Sequence, residues 1–273
     1  MTTKFCVIGS PINHSLSPNL HTAAYQHLGL DFSYEAREVP PGNLERFLTE
    51  SEFSGASVTM PLKKEAFDFA TQHSDTASTT SVVNTLLRSG SGWRGSNTDV
   101  FGLEQALAKV PPPRTVSIIG SGATTTSALA ALRVICPDAT IVLLARNHES
   151  LLEQQRFADQ LGMNVSILEL EARSVFDADL VLSLVPAGSF SEIWAEISEE
   201  PIKPSGWLFD VSYSPWPSEP AIAWGTERVI SGIEMLIWQA INQIEIFVDC
   251  FARDVEINRS ELYQVMSAAV SLK

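Results

Sequence analysis

The sequence predicts an α/β protein of two doubly wound domains, with helices at the end of the chain returning to the first domain. Three observations carry this. Strand-like and helix-like segments alternate from residue 5 to residue 210, the pattern of parallel sheets covered by helices on both faces. Gly120-Ser121-Gly122 joins a short apolar strand to a helix. Beyond residue 230 the alternation stops: Ile237, Ile241, Ile244, Val248 and Phe251 keep helical spacing on one long segment, and Leu262, Val265, Met266 and Ala269 on another.

Taken in order, the first half reads as strand 5–9, helix 18–30, strand 32–39, helix 42–50, strand 56–59 and a helix from Leu62 to about His73. A hairpin follows, with strands 85–88 and 93–95 turning at Ser89-Gly90-Ser91-Gly92. A helix over 99–109 runs into Pro111-Pro112-Pro113, which cannot continue a helix and favours an extended spacer. The domain boundary is therefore placed near that helix, giving 1–101 with 238–273 as one domain and 102–237 as the other. In the second half, strands are expected at 115–119, 140–144, 165–168, 180–184 and 207–210, with a helix over 124–136 after the glycine turn.

The chain has 273 residues, 45% of them hydrophobic, enough for a substantial core. Its formal net charge of −14 argues against nucleic acid and anionic membranes as partners, since both require clustered cations. It also makes each basic residue inside a motif informative. The apolar run at 5–8 is short for a signal peptide and is cut by Gly9 and Pro11. No stretch approaches the ~20 apolar residues of a membrane helix. Cys6, Cys136 and Cys250 are far apart, without metal or redox spacing, as expected for a reducing compartment. The expectation is a cytoplasmic protein that binds small molecules and no metal, either monomer or homodimer.

At the glycine turn the first glycine makes the bend, the second lets backbone approach a phosphate, and the helix N-terminus attracts the anion. A glycine pair at a strand–helix turn also has a purely structural explanation. Thr125 stands where the dinucleotide pattern wants a third Gly or Ala, so packing there is expected to be looser or shifted, and hydroxyls of Thr124 and Thr125 could add phosphate contacts. The next strand ends Leu144-Ala145-Arg146-Asn147. An acid would hold a ribose diol at that place, whereas an arginine suits a 2′-phosphate, which favours NADP over NAD.

The most specific segment is Gly9-Ser10-Pro11-Ile12-Asn13-His14-Ser15-Leu16-Ser17-Pro18, followed by His21. Ser17 as an N-cap with Pro18 after it explains part of this string but not Ser15, Gly9 or Pro11. The whole string resembles the amino-terminal signature of the shikimate dehydrogenase family. The resemblance recurs in Ser57-Val58-Thr59-Met60-Pro61-Leu62-Lys63 (family pattern N-V-T-x-P-x-K), in Val83-Asn84-Thr85, and in Gly95-Ser96-Asn97-Thr98-Asp99 (G-x-N-T-D). It continues in Tyr213-Ser214-Pro215 and in the run from Gly232-Ile233-Glu234-Met235 to Gln239-Ala240.

The resemblance implies an N-terminal substrate domain, a C-terminal Rossmann-type NADP domain, and reversible NADPH-dependent reduction of 3-dehydroshikimate to shikimate in chorismate biosynthesis. It implies Lys63 and Asp99 as the catalytic pair. Ser15, Ser17 and Thr59 are expected to hold the substrate carboxylate, Asn84, Asp99 and Gln239 its ring hydroxyls, with Lys63 and Tyr213 also in contact. Cofactor contacts are expected from Gly120, Ser121, Gly122, Ala123 and Thr124, from Ala145, Arg146 and Asn147, and from Val185, Gly232 and Met235. An ammonium at Lys63 suits the chemistry, because ketone reduction needs a proton at oxygen while hydride reaches carbon. Lys63 is expected in the first turn of its helix, near the positive dipole end, a poor place for a structural cation.

The sequence departs from the family pattern at Ser57 (usually Asn), at Ser81 (Gly), at Ala145-Arg146-Asn147 (Asn-Arg-Thr), and in Leu182-Ser183-Leu184-Val185-Pro186-Ala187-Gly188, which replaces an Asn-Ala-Thr-Ser stretch. These bear on cofactor affinity and on NADP preference. The competing expectations are a quinate/shikimate dehydrogenase, or a paralogue acting on an amino analogue of shikimate, with NAD; the more remote one is a non-catalytic NADP-binding sensor.

Overall fold

Strand and helix alternation resolves into two six-stranded sheets. A computed structural model describes residues 2–168, 173–197 and 204–271. The chain divides into two units, Met1–Gly102 with Leu236–Lys273, and Leu103–Met235.

The first unit runs β1 (Thr3–Gly9), α1 (Ser17–His27), β2 (Phe32–Glu38), α2 (Leu44–Glu50), β3 (Gly55–Val58), α3 (Lys63–Phe69), β4 (Gln72–His73), α4 (Asp75–Thr80), β5 (Thr85–Ser89) and β6 (Gly92–Ser96), and ends in α5 (Asp99–Ala106). Its sheet order is β2-β1-β3-β5-β6-β4. All strands are parallel except β5, which pairs antiparallel with β3 and β6 because the Gly90 hairpin reverses the chain. Strand β3 is buried along its whole length, and β1 from Phe5 onward. Ile8, Ala56, Val58, Leu62, Val83 and Leu86 meet in one apolar cluster.

The second unit contains β7 (Thr115–Ile119), α6 (Ala123–Ile135), β8 (Thr140–Leu144), α7 (His148–Gln160), β9 (Asn164–Ile167), β10 (Leu180–Ser183), α8 (Ser189–Ile197), β11 (Trp207–Asp210), α9 (Glu219–Trp224) and β12 (Val229–Ser231). Its all-parallel order, β12-β11-β10-β7-β8-β9, is that of the doubly wound dinucleotide fold. The order reverses between β7 and β10, and ligands of such sheets bind at the carboxyl ends of the strands at that point.

Helix α10 (Gly232–Phe251) carries the chain back to the first unit, where α11 (Arg259–Ser271) packs on α1. The Phe247 ring of α10 stacks on Phe5 of β1 at 4.3 Å. A Cβ at Gly55 would lie 2.9 Å from the Phe247 ring, so this glycine lets α10 lie close to the sheet.

One local expectation is corrected, and two short elements were not foreseen. The helix expected from Leu62 to His73 stops at Phe69, because Ala70 turns extended and Gln72–His73 pairs with β6 as a short edge strand. Helix α4 was not legible, since its residues Asp-Thr-Ala-Ser-Thr-Thr are weak helix formers. It is started by Ser74, whose hydroxyl accepts from Ala77 N–H at 3.2 Å. Strand β12 has three residues, too few for a periodic signal.

Ser81, which closes α4, has φ +52, the one non-glycine in the left-handed region among the described residues. A side chain there costs on the order of 1 kcal/mol. Ser81→Gly is therefore expected to raise stability by roughly 0.5–1 kcal/mol. The urea midpoint reports this; an unchanged or lower midpoint would remove the strain argument.

Candidate active site

The carboxyl ends of β1 and β3 are fastened side by side. Thr59 N–H donates to Ile8 O at 2.9 Å, and Ser10 N–H to Met60 O at 3.2 Å. A Cβ on Gly9 would stand 2.4 Å from Thr59 Cγ2, so the motif glycine is required by this approach. The turn after Thr59 places Lys63 as the first residue of α3, where the helix dipole is positive. Its carbonyl accepts from Val83 N–H at 3.1 Å, tying the start of α3 to the segment that carries Asn84.

Asp99 is delivered by a loop in which every residue has an anchor. Gly95 allows close packing, since a Cβ there would be 2.6 Å from Val83. Asn97 donates to Thr80 Oγ1 at 3.0 Å and accepts from Asp99 N–H at 3.2 Å. Thr98 N–H donates to Asn84 Oδ1 at 2.8 Å. The result is a contact between residues 36 positions apart: Lys63 Nζ donates to Asp99 Oδ2 at 2.6 Å. The two side chains are 12% and 6% exposed. An ion pair this enclosed needs further hydrogen bonds to offset desolvation. Asn84 supplies one, donating to Asp99 Oδ1 at 2.8 Å.

The other expected substrate residues distribute as follows. Gln239 on α10 lies beside this cluster, its Oε1 3.4 Å from Asn84 Nδ2, with its own amide N–H donating to Leu236 O at 2.8 Å. Ser15 and Ser17 meet at the start of α1, but Ser17 is not the N-cap. Leu16 occupies that position, and Ser15 Oγ accepts from Ser17 N–H at 3.3 Å because the chain is already turning there. Tyr213 belongs to the second unit, half-buried in the loop after β11, and burial raises its phenol pKa. The buried Asp210 organises that loop by accepting from Ser212 N–H at 3.1 Å and Ser218 Oγ at 2.7 Å.

Elsewhere in the first unit, His21 is wholly buried and stacks on Tyr34 at 3.9 Å. Gln243 Oε1 can only accept, so the ring carries its proton on Nε2 toward that atom (3.3 Å) and accepts the Tyr25 hydroxyl at Nδ1 (3.0 Å). Burial holds its pKa down at about 3, against 6.5 ordinarily. The folded state thus excludes a proton that the unfolded chain binds. The stability this gives is full above pH 6.5 and falls as pH drops toward 3, at roughly 1.4 kcal/mol per unit. Urea midpoints from pH 7 to pH 5 are expected to fall more steeply for the wild type than for His21→Asn; parallel slopes would contradict this.

In the second unit, Gly120 has φ +129, and a Cβ on it would be 2.8 Å from Leu184 O. Gly122 is different. It caps α6 with φ −86, open to any residue, and a Cβ there meets nothing within 4 Å. Ala123 and Thr124 form the first turn of α6. Thr125 is fully buried and its Oγ1 has no hydrogen-bond partner, which removes it as a phosphate contact and costs on the order of 1–3 kcal/mol. Ser121 Oγ lies 2.6 Å from Ser150 Oγ on α7, and Gln154 donates to Ser121 O at 3.2 Å, so α7 braces the glycine turn. Ala145, Arg146 and Asn147 follow β8, with Asn147 capping α7 at Ser150 N–H. Arg146 is 57% exposed and pairs with Glu192 at 3.3 Å and Glu196 at 3.9 Å. Val185 follows β10, and Met235 lies in the first turn of α10. Gly232 has a structural reason of its own, since a Cβ would fall 1.9 Å from Val211 O.

The family profile for the shikimate dehydrogenase substrate binding domain matches residues 7–86. The chain is also 31% identical, over 89% of each sequence, to the shikimate dehydrogenase (NADP(+)) of Synechocystis sp.. The chain belongs to the shikimate dehydrogenase family. The solved structure of Mycobacterium tuberculosis shikimate dehydrogenase superposes with a TM-score of 0.83 at 32% identity, covering 97% of this chain and 99% of that one. The pentafunctional AROM polypeptide of Candida tropicalis is 33% identical over 89% of this chain, but the chain spans only 17% of its length.

For a shikimate dehydrogenase, the residues missed from sequence are those that hold the named ones. Thr98, Thr85 and Gln243 are buried around Asn84, and Ser150 and Gln154 brace the glycine turn. The signal for Gln243 was present: it lies one helical turn after Gln239, a polar residue on an otherwise apolar face. No helix among the described residues is long and apolar enough to cross a membrane, and no group of His, Cys, Asp and Glu among them could hold a metal.

Proposed function

We propose that this chain catalyses the reversible NADPH-dependent reduction of 3-dehydroshikimate to shikimate, a cytoplasmic step toward chorismate. The observation that carries this reading is the enclosed Lys63–Asp99 contact at 2.6 Å. Lys63 donates a proton to the ketone oxygen and stabilises the developing alkoxide, and Asp99 aims the ammonium. Ser15, Ser17 and Thr59 hold the substrate carboxylate by their hydroxyl donors. Asn84, Asp99 and Gln239 address the ring hydroxyls.

NADPH supplies the hydride at the carbonyl carbon. The residues present fit it: Gly122 has no internal reason to be glycine, so the open space over its Cα suits a phosphate lying on the backbone. Arg146 would take the 2′-phosphate, displacing Glu192 and Glu196. Exposed pairs of this kind are worth at most about 1 kcal/mol, so they yield to a phosphate. Arg146→Leu is expected to raise the Kd of NADP+ about tenfold or more while that of NAD+ stays within about twofold. Equal changes for the two nucleotides would mean that Arg146 does not read the phosphate.

Specificity constants for shikimate and quinate, each with NADP+ and NAD+, test the whole reading. Shikimate with NADP+ is expected to be the best pair; a higher constant for quinate with NAD+ replaces this function with the quinate one.

A further inference from the structure

Gln243 is 1% exposed on α10, and all four hydrogen-bonding positions of its amide are used. Its Oε1 accepts from Ser57 Oγ at 2.7 Å and faces His21 Nε2 at 3.3 Å. Its Nε2 donates to Thr85 Oγ1 at 3.0 Å and to Asn84 O at 3.3 Å. Extended in both directions, these bonds form one directed relay. Tyr34 OH donates to Ser57 Oγ at 2.5 Å, because the single Ser57 proton is already given to Gln243. Thr85 Oγ1 donates to Asn84 Oδ1 at 2.8 Å, and Asn84 Nδ2 donates to Asp99 Oδ1 at 2.8 Å. Thr98 N–H, which can only donate, meets the same Asn84 Oδ1 and fixes the amide in this sense. With Oδ1 of Asp99 occupied by Asn84, Oδ2 is left to Lys63. Each donor in such a chain strengthens the next.

We propose that Gln243 is a positioning residue for Lys63 and Asp99, acting through Thr85 and Asn84; this rests on the catalytic reading of that pair. The test measures kcat and KM for 3-dehydroshikimate in Gln243→Met and Thr85→Val, each alone and combined with Asn84→Ala. Each single variant is expected to lower kcat about tenfold with KM changing less than about threefold. In the Asn84→Ala background neither is expected to lower kcat further, because the relay already ends there. A purely structural role would leave the losses additive, and that outcome overturns the proposal, as does wild-type kcat in either folded single variant. Should Gln243→Met fail to show a cooperative thermal transition, Thr85→Val and the more distant Tyr34→Phe decide by the same cycle. Lys63→Ala in the same series separates the two ideas. If it keeps turnover, the catalytic reading fails; if it loses turnover while Gln243→Met does not, only the relay fails.

Discussion

Lys63→Ala is expected to lower turnover of 3-dehydroshikimate by about three orders of magnitude while leaving the Kd of shikimate within about threefold. A positioned proton donor contributes 10²–10⁴ in rate, and the remaining hydroxyl and amide contacts hold the substrate as before. The variant also leaves the Asp99 carboxylate, 6% exposed, without its cation, so stability falls as well. Activity is therefore compared at a temperature where a melt shows the variant folded, with shikimate titration confirming an intact pocket. Turnover within tenfold of wild type in such a sample would remove Lys63 from the chemistry.

The second large effect lies at the glycine turn, where two neighbouring glycines are expected to fail differently. Gly120→Val forces a side chain onto φ +129 and into Leu184 O, costing several kcal/mol, and is expected to cripple folding. Gly122→Val meets neither obstacle: its φ of −86 is ordinary and nothing lies within 4 Å of the new Cβ. Its melting temperature is expected to stay within a few degrees of wild type, while the Kd of NADP+ rises about a hundredfold, since the valine occupies the space over the helix N-terminus. Unchanged NADP+ affinity in folded Gly122→Val would show that the dinucleotide does not lie on this turn.

The architecture was legible wherever periodicity is strong. Strands 115–119, 140–144 and 207–210 stand where their apolar runs put them, and the hairpin turns at Gly90, because buried parallel strands and glycine turns leave unambiguous signals. What was lost has local causes: α4 is made of poor helix formers and held by a Ser74 cap, and β4 and β12 are too short to show alternation. At the site, Lys63 and Asp99 were named from motif order, yet only the fold shows them meeting. The Ser57–Gln243–Thr85 relay was invisible because it joins β3, α10 and β5, and no spacing along one chain encodes a contact between residues 186 positions apart. The structural alternative for Ser17, an N-cap, does not hold, because the serine is already in the first turn and Leu16 takes the cap position; a Ser-Pro pair marks the helix start in either place.

Oxidation of NADPH by the purified wild-type chain on mixing with 3-dehydroshikimate, followed by nicotinamide absorbance, is the most direct trial of the Lys63–Asp99 chemistry. Stoichiometric consumption with shikimate as product, at a turnover on the order of 1–10³ s⁻¹, is the expected result. Binding of both ligands with no NADPH consumed would make the protein a sensor and leave the ion pair without a reaction to catalyse.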